Sequence, residues 1–277
     1  MPMKPPEPAG HSSLFGRVRR WVGRSPAGRG WRRGSALELW QRSLGFAALG
    51  FLTLVPLLIV ISAADPANGQ GFAQWLGDGL GVSAPSRRKV EQLIALPGQT
   101  LRTTTAFSLA ALAVFGLSFG AAVQTTYEKI WGLPPARWWA RWRHIVWLAA
   151  LIGFLLLSAA TTRWRQTPAG GVASVVSAVL FFWWSQRMLL GGRVHWGVLL
   201  PGAVATTAGL LGLRVFSRLV FSPLIATNTL AYGPIGTVLV IQSWLVGVGA
   251  MVYGGAMAGR LVHDEHPRLK AALKRRG

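Results

Sequence analysis

Residues 235–259 read IGTVLVIQSWLVGVGAMVYGGAMAG, a stretch without a single charged side chain. As an α-helix rising about 1.5 Å per residue it extends about 37 Å, enough to cross the roughly 30 Å hydrocarbon core of a bilayer. Five further stretches have the same character, at about 44–64, 105–124, 144–162, 170–190 and 197–220. None of the eight acidic residues falls inside any of the six. Lipid offers the backbone no hydrogen-bond partners, so only helices or closed barrels span it, and these stretches lack the alternation of a barrel strand. The expected fold is therefore all-α, a polytopic membrane protein built as a six-transmembrane-helix bundle. A hydrophobic content of 51% and a mean hydropathy of +0.39 agree, since they lie above the range usual for a soluble domain.

The net charge of +21 would suggest nucleic acid in a soluble chain, but its placement points elsewhere. Twenty-one of the 29 Lys and Arg fall in the N-terminal tail, the second and fourth loops and the C-terminal tail. This bias sets both termini in the cytoplasm and makes anionic headgroups of the cytoplasmic leaflet the expected partners, with no nucleic acid. The chain divides into a basic, partly disordered tail (1–35), a membrane domain (36–262) and a basic C-terminal tail (263–277). Ahead of the first span there is no early apolar run, so that span is expected to act as an uncleaved signal anchor.

Within the first tail, Leu14, Phe15, Val18, Trp21 and Val22 share one helical arc opposite Arg17, Arg20 and Arg24, the pattern of a basic amphipathic helix. The longest loop, 65–103, is expected to face outward and to hold short amphipathic helices. Phe72, Trp75, Leu76 and Leu80 form one face there, and Val90, Leu93 and Ile94 another after Pro85. Pro56 predicts a kink in the first span. Most of the 14 tryptophans crowd span boundaries and read as an aromatic belt. Gly116 with Gly120, and Gly255 with Gly259, have the small-xxx-small spacing of close helix packing.

Catalytic machinery is hard to find in this sequence. There is no cysteine, no Gly-rich phosphate loop, no nucleophile elbow, and no carboxylate pair within the spans. The run from His263 to His266 has no matching partner elsewhere and reads as a solvated exit from the last span. The expectation is a protein that is not an enzyme, with no catalytic, cofactor-binding or metal-binding residues. Polar groups in the spans carry more meaning, because lipid gives them no partner. Arg214 and Arg218, four residues apart, share a face toward the outer end of span five. They either snorkel to outer-leaflet phosphates or line a cavity that receives an anion. Gln124, Gln186 and Gln242 are candidates for interhelical hydrogen bonds. Tyr232-Gly233-Pro234 reads as a turn, with the last helix starting at Pro234.

Three motifs in order give the chain a resemblance. Tyr127-Glu128-Lys129-Ile130-Trp131-Gly132 follows span two, Trp196-Gly197-Val198-Leu199-Leu200-Pro201-Gly202-Ala203 opens span five, and Tyr232-Gly233-Pro234-Ile235-Gly236 precedes span six. In order and spacing across about 36–262 they resemble the YihY/virulence factor BrkB family of bacterial inner-membrane proteins. The resemblance implies six transmembrane helices in a bacterial plasma membrane. Members of that family have been described as transporters, some linked to lipid export, and also as a ribonuclease; no metal-binding nuclease constellation supports the last here. The chain departs from the family at Gly255-Ala256-Met257, where many members end in Gly-Ala-Glu, and in a Gly-rich first span. The expected function is transport or handling of a lipid or amphipathic anion, with Arg214 and Arg218 receiving the anionic group and Gln242, Gln186 and Tyr232 lining the path. The alternative is a non-transporting envelope scaffold.

Overall fold

The computed structural model describes residues 38–64, 101–136, 141–161 and 167–274. They form five helical elements and, among the described residues, no strand: α1 (Leu39–Ala64), α2 (Leu101–Trp131), α3 (Trp142–Ala160), α4 (Pro168–Leu189) and α5 (Trp196–Lys274). Four segments are long and apolar enough to cross a bilayer, namely Phe107–Trp131, Pro168–Leu189, Trp196–Val220 and Val238–Glu265. Trp142–Ser158 is a shorter apolar helix. The protein is an all-helical membrane protein. The amphipathic helices expected in the N-terminal tail and in the 65–103 loop lie outside the described residues, apart from the start of α2.

α5 is not a rod. Straight, it would be about 118 Å long. Instead its two arms run antiparallel in close contact. A Cβ added at Gly259 would lie 2.8 Å from the Gly202 backbone, one at Gly209 would lie 2.8 Å from Met251 Sδ, and one at Gly247 would lie 2.9 Å from Leu213. The arms therefore serve as the fifth and sixth spans, and the chain reverses between 220 and 238. The backbone is helical there, including 232–234, where the sequence predicts a turn. The Gly255 and Gly259 spacing is what the arms use to meet, since Gly255 abuts the Thr206 backbone. Gly116 and Gly120 likewise receive Leu148 and Trp147 of α3. Without a hydrophobic drive between helices in lipid, close approach at small residues supplies much of the cohesion.

Helix ends follow from local chemistry. Thr167 caps α4 by accepting from the Gly170 N–H at 3.1 Å, and Pro168 follows it at the first turn. The C-termini of α2 and α4 close in the same way. Gly132 (φ 64°) and Gly191 (φ 65°) take the left-handed conformation. Leu133 N–H reaches the Glu128 carbonyl at 2.8 Å, and Gly192 N–H reaches that of Arg187 at 3.1 Å. Several span hydroxyls are satisfied by their own helices: Ser43, Thr53, Thr126 and Thr207 donate to carbonyls four residues back at 2.7–3.0 Å, whereas those of Thr206 and Ser217 are buried without a partner.

The core is aromatic. Phe46 of α1 meets Phe119 of α2 edge-on at 4.8 Å between ring centroids and Tyr253 of α5 at 5.7 Å, and Tyr127 meets Tyr253 at 6.3 Å. Trp147, read from sequence as a belt residue, is instead buried in this core and donates to Ser185 Oγ at 2.6 Å. Trp40 and Trp142 stay exposed, as do Phe107, Leu219 and Val215, an outer surface that only lipid would cover.

Candidate functional site

A cavity of about 790 Å³ lies inside the bundle, bounded by side chains from all five helices. On α4 its lining runs from Gly171 to Ser185, an axial distance of about 21 Å at the helical rise. The wall is mostly apolar and aromatic, with Phe119, Leu151, Phe154, Phe182 and Val248 prominent. Its hydroxyls are largely spoken for. Ser174 donates to the Gly171 carbonyl at 2.7 Å, Thr207 to Ala203 at 3.0 Å, and Ser185 accepts from Trp147. The surface presented to the interior is accordingly more apolar than the residue names suggest.

Arg214 and Arg218 line this cavity at one end, one helical turn apart on the first arm of α5. They are its only charged lining residues among those described. Arg214 is half-buried while Arg218 is exposed, so the pair runs from the cavity to its rim. The indole N–H of Trp244, also on the wall, is buried with no hydrogen-bond partner.

The other expected path residues lie elsewhere. Gln186 is fully buried but packs on Gly202, its Oε1 3.1 Å from where a Cβ there would stand, and it does not line this cavity. Both polar atoms of its amide lack a hydrogen-bond partner. The close pairing of Gly202 with Gly259 draws the α5 arms over Gln186, which removes it from the path. Gln242 is half-buried on the second arm and is also absent from the lining. The side chain of Tyr232 lies outside those described.

A polar cluster closes the opposite end. Glu128, near the end of α2, is buried and forms an ion pair with Arg193 of the α4–α5 link. It also accepts from Gln124 Nε2 at 2.9 Å and from the Ala136 N–H at 3.1 Å. Gln124 Oε1 in turn sits 2.6 Å from His144 Nε2 of α3. Arg193 donates to the carbonyls of Pro134 (2.6 Å) and Leu190 (2.9 Å), and Arg260 of α5 to that of Ile130. One carboxylate thus joins α2, α3 and the α4–α5 link. Glu128 stands just past the expected end of the second span at 124, in an apolar helical segment that continues to Trp131. The i,i+4 pair Gln124 and Glu128 was the available signal.

Asp264 lies 3.8 Å from Arg260, and the His263 ring packs 6.3 Å from that of Trp131. Among the described residues, no three His, Cys, Asp or Glu side chains gather to hold a metal. No protein-family model, curated protein or solved structure matches the chain.

Proposed function

We propose that this protein handles an anionic lipid or similar amphipathic anion, with Arg214 and Arg218 engaging the headgroup and the apolar cavity taking the hydrocarbon. The observation that carries this reading is a long, largely apolar cavity whose charged lining, among the described residues, is a pair of guanidinium groups at one end. Guanidinium forks match phosphate oxygens in geometry and in charge. An ion or sugar pathway would need wall polar groups free to replace hydration, whereas Ser174 and Thr207 are turned to their own backbones and Ser185 is engaged by Trp147.

The Lys and Arg bias supports a bacterial plasma membrane topology with both termini in the cytoplasm, so the arginine pair faces the outer leaflet and the Glu128 cluster the inner. The ordered motifs support kinship with the YihY/BrkB family. The reading is tested by reconstituting the full chain in vesicles and following transbilayer transfer of a fluorescent phosphatidylglycerol. The double variant Arg214→Gln, Arg218→Gln is expected to lower the rate about tenfold or more, the worth of one charged hydrogen bond. Transfer by that variant at the wild-type rate overturns the assignment.

A further inference from the structure

We propose that a second pocket, at the Glu128 end of the bundle, binds the phosphate of an anionic phospholipid headgroup. It has a volume of about 310 Å³ and lies between the first turn of α3, the last turn of α4 and the start of α5. Trp142, Trp184 and Trp196 wall it, with Arg143 and Arg187 directed to the turn at Gly191. It shares no lining residue with the large cavity.

The two arginines differ in a telling way. Arg187 is partly engaged: Nη1 donates to the Gly192 carbonyl at 2.6 Å and to that of Val194, and its guanidinium lies 5.5 Å from the Trp196 ring centroid. Arg143 has neither a hydrogen bond nor an ion pair among the described residues. Its Nη1 lies 1.8 Å from where a Cβ at Gly191 would stand, so it occupies space that only glycine leaves open. Gly191 also holds φ 65°, which already disfavours other residues. The missing side chain at Gly191 thus leaves room for the Arg143 guanidinium, whose donors face the pocket.

Competing charges are accounted for. Glu128, the buried acid at this end, is taken by Arg193. The C-terminal carbonyls of α4 oppose an anion, but Gly191 and Gly192 N–H groups cover those of Met188 and Arg187, and Arg187 covers the two in the link. Tryptophans at this height are at home in the headgroup region, where the ring meets glycerol and chain while phosphate meets the guanidinium. Trp142 and Trp196 remain exposed, open to lipid. This placement and the apolar walls favour a lipid phosphate over free phosphate.

The experiment is native mass spectrometry of the full chain released from nanodiscs. It compares retained phosphatidylglycerol with phosphatidylcholine, for the wild type, Arg143→Gln and Lys129→Gln, the last an exposed cation at the same end that lines neither pocket. Wild type and Lys129→Gln are expected to retain phosphatidylglycerol preferentially, and Arg143→Gln to lose about tenfold of that retention. Should Arg143→Gln fail to fold, Trp184→Leu serves, with the same loss expected. Equal retention in the variant and the wild type overturns the proposal. Displacement of the lipid by millimolar inorganic phosphate overturns the lipid assignment in favour of a soluble phosphate site. Loss of transfer through Arg214 and Arg218 with retention here intact would separate this pocket from the proposed function.

Discussion

At the scale of single residues, Glu128 carries the most structural consequence. It is buried, its charge is met by Arg193, and its remaining oxygen positions take an amide and a backbone N–H. Removing one partner of such a pair strands the other, which costs about 3–5 kcal/mol when both are buried. Arg193 is 29% exposed and can partly rehydrate, so the lower end applies. Glu128→Gln is expected to lower the thermal midpoint of detergent-purified protein clearly, and Glu128→Gln with Arg193→Met to recover part of the loss. A midpoint unchanged in Glu128→Gln would show the pair contributes nothing. Hydropathy could not reveal this residue's burial, because the letters Tyr127, Glu128 and Lys129 dilute any window and resemble an exit from the membrane. Arg214 and Arg218 were legible for the opposite reason: two charges isolated in a long apolar run have few places to go.

At the scale of elements, the positions of the helices were legible and their meetings were not. Runs of about 20 apolar residues announce spans directly. The pairing of the two α5 arms depends on which glycines face each other, and 34 glycines offer too many coincidental spacings to choose among. The contacts at Gly202, Gly255 and Gly259 make that choice. Gly259→Leu is expected to push the arms apart, since the space of its Cβ is held by the Gly202 backbone, which cannot swing aside as a side chain would. Overpacking of this kind costs about 1–3 kcal/mol or more. The check is thermal unfolding beside Gly212→Ala, where nothing stands within 4 Å and no effect beyond a few tenths of a kcal/mol is expected. Equal midpoints for the two variants would contradict the packing described. Trp147 illustrates the same limit. Its position near a span boundary suggested the belt, yet the turn of α3 aims it at Ser185.

At the scale of the whole molecule, the sequence raised a cavity at Arg214 and Arg218 only as one of two alternatives, and its size and walls were beyond sequence reasoning. Its volume is the gap left by helices that meet tightly at Gly116, Gly120 and Gly255 and diverge elsewhere, a property of five elements at once. Filling it tests its role without touching charge. Ala178→Trp, on the wall of α4, is expected to abolish lipid transfer while leaving phosphatidylglycerol retention at Arg143 unchanged. Undiminished transfer in Ala178→Trp would remove the cavity from the pathway.

Those self-satisfied hydroxyls have an electrical consequence. A chamber whose wall offers few free polar groups does not hold a continuous file of water, because each molecule needs two to four partners. Without such a file there is no wire along which protons hop and no hydrated route for small ions. A membrane sustaining 100 mV stores about 2.3 kcal/mol per elementary charge that crosses it. On the proposed function, a mostly apolar cavity lined over about 21 Å of α4 would take a hydrocarbon chain without opening a hydrated route for small ions, and so would spare the gradient on which the cell runs.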